Sequence, residues 1–311
     1  MIDPVMIHDA PSLTVLVPSF NQGSTLARCI DSALEQSHRP TEVLVVDGAS
    51  TDETLDVLHS YDGVDEVRWV SEPDNGVADA VNKGIALASG EVIGIQSSDD
   101  YYLPGAFDAA LSAFVRHSSV GLVYGDVQTV DRDERVLSTW RRPPHENDLC
   151  LAMCIPIPQS SAFFRRDLAR GLGGWRTEYH TADWDLWLRM MHRAPAIKVD
   201  GVWSSWRVYP GQRSSEREAV FEDFRRMVND APEVQSGSWR TRQAGRAAKQ
   251  LIGVSYARRG PWSKAARLAA ATAMYPAIWP HVPGKRGMLP TSAEVARWAR
   301  GVVGRDHRRT T

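Results

Sequence analysis

Residues 93–105 read IGIQSSDDYYLPG. Ile93 and Ile95 end an apolar run of the kind a buried strand requires, and Pro104 suits the first turn of a helix. Asp99 and Asp100 therefore stand where a strand has stopped and the chain has not yet turned. In open α/β sheets, ligands bind at that edge. One of the two carboxylates can cap the next helix, an ordinary task for Asp. The other is left to be explained.

Working outward, the first half of the chain alternates strand and helix. LTVLV (13–17), EVLVV (42–46), EVRWV (66–70), EVIGI (91–95) and GLVYGDVQTV (121–130) read as strands. Between them lie helical patterns after Gly23, over 51–61, over 76–88 and over 104–115. Near-continuous apolar strands separated by helices predict an α/β fold with a mainly parallel sheet covered on both faces. Strand-like pieces at 160–164 and 202–208 flank a helix over 183–193, and a polar-faced helix over 214–230 closes the region.

The composition of the 311 residues, 43% hydrophobic and 24% charged, is that of a globular protein. Three cysteines, Cys29, Cys150 and Cys154, offer neither a disulfide framework nor zinc-ligand spacing. The start, MIDPVMIHDAPS, has neither the charged nor the apolar region of a signal peptide, and no segment has the apolar length to span a bilayer. These features predict a cytoplasmic protein.

The net charge of -2 hides an asymmetry: residues 1–237 hold 21 Lys and Arg against 36 Asp and Glu, whereas 238–311 hold 15 against 2. This divides the chain into a region 1–237 and a basic helical region 238–311, with a helical hairpin broken at Gly260-Pro261 and a third helix over 292–303. Basic helices carrying Trp239, Trp262, Trp279 and Trp298 suit an anionic membrane face. Docking of the hairpin on the acidic first region is the competing reading. Nothing else in the chain supports a nucleic-acid partner.

Four polar clusters stand at strand ends: PSFN (18–21), VDGASTDET (46–54), EPDNGVADAVNKG (72–84) and QSSDD (96–100). The first strand–helix turn, VPSFNQGS, lacks a dinucleotide fingerprint, and no phosphate-binding P-loop is present. Asp47 has two readings, hydrogen bonding to a base or ribose, or an Asx-type turn at Asp47-Gly48. Asp79, Asn82 and Lys83 share one helix face, turned to the cleft or to water. In DWDLWLRMM, Leu186, Trp187, Met190 and Met191 follow Asp183 at helix spacing, putting it at the top of an inward stripe. It serves there as a helix cap or as a general base.

Taken together, the clusters resemble family 2 glycosyltransferases, inverting enzymes of the GT-A fold that use nucleotide-diphosphate sugars. VPSFNQGSTLARCIDSALEQSHRPTEVLVVDGASTDET is similar to the family's nucleotide-binding opening, and SEPDNGVADAVNKGIALASGEVIG to its next segment. SSDDYYLPGAF occupies the acidic metal motif, and GGWRTEYHTADWDLWLRM the acceptor-side acidic motif. The resemblance covers roughly residues 12–215.

The resemblance implies a mixed, mainly parallel GT-A sheet with a C-terminal helical appendage. It implies that Asp47 binds the base, with Pro18 and Phe20 shaping that pocket, and that Asp79 lies near the nucleotide–sugar side. Asp99 aligns with the last carboxylate of the D-x-D motif, which contacts Mg²⁺ or Mn²⁺ and the diphosphate, and Asp100 supports it. Asp183 aligns with the catalytic base, and Asp185 and Trp187 with its acceptor-side followers. Two positions depart from the pattern: Ser97 stands at the first D-x-D position, and Tyr209 where relatives carry a metal-binding His. The implied activity is sugar transfer to a saccharide or lipid-linked saccharide hydroxyl in polysaccharide or glycolipid synthesis. A nucleotidyltransferase would need a Gly-rich N-terminal loop that is missing. A non-catalytic binding protein with a degenerate metal site is the alternative.

Overall fold

The computed structural model of the protein describes residues 10–154, 157–210, 212, 216–256 and 261–277. They form two compact units, one within residues 1–147 and 155–215, the other within 148–154 and from 216 onward. The charge boundary at 237 falls inside the second unit. Charge and packing mark different places, because α8 (Arg217–Asp230), which precedes that boundary, packs with the basic α10 (Trp239–Tyr256).

The first unit begins with strands and helices in alternation: β1 (Leu13–Ser19), α1 (Gly23–Leu34), β2 (Glu42–Asp47), α2 (Thr54–His59), β3 (Val67–Ser71), α3 (Val77–Leu87) and β4 (Val92–Ile95). The two-residue β5 (Tyr101–Tyr102) precedes α4 (Ala106–Arg116), followed by the hairpin β6 (Leu122–Val130) and β7 (Val136–Trp140). After α5 (Asn147–Ala152) come β8 (Ala162–Arg165), α6 (Arg166–Gly171), α7 (Ala182–Met191) and the long β9 (Ala196–Arg207).

Among the described residues nine strands join one sheet, in the order β3-β2-β1-β4-β8-β6-β9-β5, with β7 on β6. The β3-β2-β1-β4 half is parallel, as continuous Val/Ile/Leu runs require. In the other half β6 and β9 are parallel, but β8 runs antiparallel to both β4 and β6, and β5 and β7 are antiparallel to their partners. The sheet is therefore mixed. Strand order reverses at β1, which passes the chain to β2 on one side and lies beside β4 on the other. A ligand crevice is expected outside the C-terminal ends of those two strands.

The opposite end of the sheet is tied by Glu42. Its carboxylate accepts from Thr14 Oγ (2.7 Å), from the Ser89 amide (2.5 Å) and hydroxyl (2.7 Å), and from Arg68 (3.0 Å). Burial alone would raise its pKa, but the hydrogen bonds from Ser89, Thr14 and Arg68 outweigh it and hold Glu42 below the usual glutamate value. Because the folded-state pKa is depressed, the stabilisation exists above the unfolded value and fades as pH falls through the folded one. Glu42→Gln is expected to lower stability by about 1–3 kcal/mol at pH 7, leaving transfer kinetics unchanged. Melting curves check this. The gap between the two proteins should shrink below about pH 4, and a constant gap would contradict the network's charge dependence.

The second unit holds α8, the short α9 (Pro232–Gln235), α10 and α11 (Pro261–Met274), with Asp148–Cys154 alongside. The α10–α11 pair is the helical hairpin read from the sequence; the helix expected over 292–303 lies outside the described residues. Arg240 donates to Tyr275 Oη (3.0 Å) and lies 3.7 Å from Asp148. No helix among the described residues is long and apolar enough to cross a membrane.

Candidate active site

The turn after β1 and the loop after β2 are knitted together. Asn21 N donates to Ser50 Oγ (2.7 Å), Thr51 N to Asn21 Oδ1 (2.8 Å), Gln22 N to Thr54 Oγ1 (2.9 Å) and Gly23 N to Asp52 Oδ2 (3.1 Å). These contacts satisfy amides at the start of α1 that have no intrahelical partner. Asn21 (φ 54°) and Ala49 (φ 62°) both adopt the left-handed region, held there by this framework. Pro18 is buried in β1, opposite Val46 of β2. Phe20, two residues on, is 58% exposed at the edge of the crevice.

Asp47 is wholly buried. Its carboxylate accepts from the Ser50 amide (2.9 Å), the Ser50 hydroxyl and Ser71 Oγ (2.6 Å), so it holds the 47–50 turn and ties it to β3. The turn reading is therefore realised, and the buried carboxylate presents no surface to a base. The accessible carboxylate at that place is Asp74. A Cβ at Gly48 would lie 2.6 Å from Asp74 Oδ2, so the missing side chain at 48 is what admits Asp74. Asp79 sits in the first turn of α3, half-buried, accepting from the Asn75 amide (3.0 Å) and lying 3.8 Å from Lys83. The Asn75 amide, with Lys83 nearby, holds its carboxyl below the ordinary value.

After β4 the chain turns through Ser97–Asp100, where the Asp100 amide donates to Ser97 O (2.9 Å). The two carboxylates of this corner differ in environment. Asp100 is buried and accepts from the Arg207 amide (2.8 Å). Burial, then the neighbouring Asp99 charge, pushes its pKa well above the usual aspartate value, against the pull of Arg207. Asp99 is partly exposed. Tyr209 Oη donates to its Oδ2 (2.7 Å), and burial with that bond to Asp99 raises the phenol's pKa. Asp99 Oδ1 accepts no hydrogen bond among the described residues. Ser19 Oγ and Gln96 Oε1, at the ends of β1 and β4, are buried polar atoms without a partner.

The second acidic motif is tied to the first side of the crevice by hydrogen bonds. The residue preceding α7 is Thr181, so Asp183 lies inside the first turn rather than at the cap, and it is half-buried. Asp185 is buried against Arg189, which donates to it through Nε (2.9 Å) and Nη2 (2.6 Å), with Arg176 at 3.2 Å. Arg189 also donates to Leu172 O (2.7 Å) and Gly174 O (2.6 Å), fixing the 172–175 loop. That loop meets α3: Asn82 Nδ2 donates to Trp175 O (2.8 Å), and the Trp175 amide to Asn82 Oδ1 (2.7 Å). Gly174 has φ +68°, and a Cβ there would lie 2.3 Å from Asn82 Oδ1, so only glycine fits. Trp187 is wholly buried, with its ring 5.3 Å from that of Phe164. Asp185 and Trp187 thus lie in packing and ion-pair positions, not on an open surface.

The residue the sequence did not signal is Arg207, at the end of β9. Its Nε donates to Asp99 O (2.9 Å), Nη1 to Arg132 O (3.0 Å) and Nη2 to Glu134 (3.0 Å), so it fastens the tip of the β6–β7 hairpin to the Asp99–Asp100 corner.

The family model for glycosyl transferase family 2 matches residues 14–172, just over half of the chain and the span that carries β1 through α6. The chain belongs to glycosyl transferase family 2. A chondroitin synthase of Pasteurella multocida (strain Pm70) is 33% identical over 138 residues, 44% of this chain; that match spans only 14% of the synthase's length. Two solved structures share the fold. Staphylococcus aureus TarS 1-349 in complex with UDP-GlcNAc has a TM-score of 0.66 at 18% identity, covering 84% of this chain and 79% of its own. The mannosyltransferase PcManGT from Pyrobaculum calidifontis, in complex with GDP-Man and Mn²⁺, has a TM-score of 0.63 at 20% identity, covering 94% and 80%. This family 2 chain therefore has a GT-A fold, and the crevice beside β1 and β4 is its candidate active site.

Proposed function

We propose that this glycosyltransferase is inverting and metal-dependent, moving a sugar from a nucleoside-diphosphate donor to a saccharide hydroxyl. The observation that carries the reading is Asp99: a partly exposed carboxylate at the end of β4, one oxygen held by Tyr209 and the other uncommitted, beside the strand-order reversal. The donor-bound neighbours, with UDP-GlcNAc and GDP-Man, support a nucleotide sugar as the ligand of that crevice.

The roles follow from position. Pro18 shapes the pocket floor, and Phe20 offers its exposed ring to the base. Asp74 and Asp79 face the nucleoside side, while Asp47 acts on the base through the turn it holds. Among the described residues no group of three or more His, Cys, Asp or Glu side chains forms a metal cluster. The donor set fits Mg²⁺ or Mn²⁺ all the same, since such ions commonly take one or two carboxylates and fill their sphere with phosphate and water. Asp99 would be the ligand, with Asp100 bracing the corner. The chemistry the ion would supply when held there is stabilisation of the charge that develops on the departing phosphate. Asp183 takes the acceptor's proton as that oxygen attacks the anomeric carbon, and one displacement inverts the centre. Asp185 and Trp187 position the helix that carries Asp183.

Release of nucleoside diphosphate from a panel of nucleotide sugars with Mn²⁺ tests the reading. A non-catalytic protein, the role Tyr209 and Ser97 would fit if they disabled the metal site, releases none. Titration of Mn²⁺ in the presence of nucleoside diphosphate tests the ligand: Asp99→Ala should abolish metal-dependent binding, and Ser97→Asp should strengthen it. Unchanged affinity in both variants would place the ion elsewhere.

The second unit carries a basic, aromatic surface of its own. Trp239, at the start of α10, is 68% exposed, and Arg240, Arg242 and Arg246 on the same helix are exposed. Each cation near an anionic bilayer contributes on the order of 1 kcal/mol. The unit is read as a peripheral contact with the cytoplasmic membrane face, where a lipid-linked acceptor would wait. The full chain is expected to float with anionic liposomes at low salt and to be released at high salt. Sedimentation at low salt, beside a floating basic control peptide, would refute it.

A further inference from the structure

We infer that Arg132 binds the diphosphate of the donor, reaching it from the β6–β7 hairpin beside Asp99. The inference rests on the reading of the crevice as a nucleoside-diphosphate site and adds a residue that no motif of the chain singles out.

The hairpin tip is rigidly built. Asp131 Oδ1 accepts from the amides of Asp133 and Arg135 (both 2.9 Å), and Glu134 turns the chain at φ 61°. Arg207 then fastens this tip to the Asp99 carbonyl, as described above. Three cations gather at the corner, but their commitments differ. Arg207 pairs with Glu134 (3.0 Å), and Arg28 approaches the same carboxylate (3.5 Å) while lying over the Tyr101 ring (4.2 Å). Arg132 is exposed, and among the described residues its guanidinium has no carboxylate partner. Its Cζ lies 5.4 Å from the centre of the Tyr209 ring, and the Tyr209 hydroxyl is bonded to Asp99. A fixed ring thus leads from an uncommitted guanidinium to the carboxylate assigned to the donor's metal.

Charge decides what Arg132 is for. Glu134 is shared by two arginines, and Asp100 is buried and bonded to the Arg207 amide, so Asp99 is left as the corner's accessible carboxylate. Ser97 supplies no charge where a carboxylate would help hold a cation. Such a corner binds a diphosphate weakly unless further positive charge faces it. A guanidinium is the fitting group, because its planar fork matches phosphate oxygens with two parallel hydrogen bonds. From the same place it would steady the charge that grows on the departing phosphate.

Calorimetric titration of the full chain with UDP, GDP, ADP, CDP and dTDP, and with the matching monophosphates, tests this with Mn²⁺ and with chelator. Arg132→Ala should weaken binding of the preferred diphosphate by about tenfold or more, the effect of one charge-assisted contact. Its monophosphate affinity and melting temperature should stay unchanged, and Arg132→Lys should fall between the two. Unchanged diphosphate affinity in Arg132→Ala overturns the inference. So does an equal loss for mono- and diphosphate, which would mean a displaced hairpin rather than a lost contact. If the wild-type chain binds none of the five diphosphates, the donor reading itself fails first.

Discussion

Asp183→Asn is expected to lower sugar transfer by about 10²–10⁴-fold while nucleoside-diphosphate affinity stays close to wild type. Asn keeps the size and hydrogen-bonding reach of Asp but takes up no proton. The position itself argues for chemistry over architecture. The N-cap position of α7 is Thr181, so Asp183 lies inside the first turn, and the inward stripe below it is filled by Leu186, Trp187, Met190 and Met191. A half-buried carboxylate in the first turn stands at the end of the helix where the dipole favours negative charge. The loss should appear in kcat and kcat/KM together, the mark of an interaction made in the transition state. Wild-type turnover by a folded Asp183→Asn protein would sink the assignment, as would a loss confined to donor KM.

How far the sequence could be read depended on whether a feature was local. The strands β1, β2 and β4 announce themselves because each carries a run of branched apolar residues buried on both faces. The helices α1, α3 and α4 show their apolar spacing for the same reason. By contrast β7 is exposed along its whole length, so no alternation marks it, and β5 is two residues set in place by β9. Residues of the candidate site divide likewise. Asp99 and Asp183 were legible because a strand end and a helix start can be seen in sequence. Asp47 was visible but its reading stayed divided, because the second anchor that buries it, Ser71, comes from another strand. Arg207 gave no signal at all: it reaches Asp99 and Asp100 only through the register of β9, more than a hundred residues along the chain. The Asp185–Arg189 pair did carry a local sign, the i, i+4 spacing of opposite charges. The family resemblance, by contrast, implies an acceptor-side role for Asp185.

That pair makes the second large prediction. Asp185→Ala and Arg189→Met are each expected to destabilise the protein by about 3–5 kcal/mol, because each leaves its partner charged and buried. Both side chains are almost fully buried, and burial raises the Asp185 pKa while Arg189, then Arg176, pulls it down. The arginine does more than neutralise the carboxylate. It feeds the carbonyls of Leu172 and Gly174, and so holds the loop that meets Asn82 on α3. Removing it should therefore loosen the link between the helix of Asp183 and that of Asp79. Denaturant titrations of both single variants and of Asp185→Ala/Arg189→Met form the test. Residues in one network couple by about 0.5–3 kcal/mol, so the double variant should be more stable than the sum of the single losses predicts. Strict additivity would mean that the two charges do not hold each other. A wild-type melting temperature for Asp185→Ala, with a raised acceptor KM, would instead return Asp185 to direct contact with the acceptor.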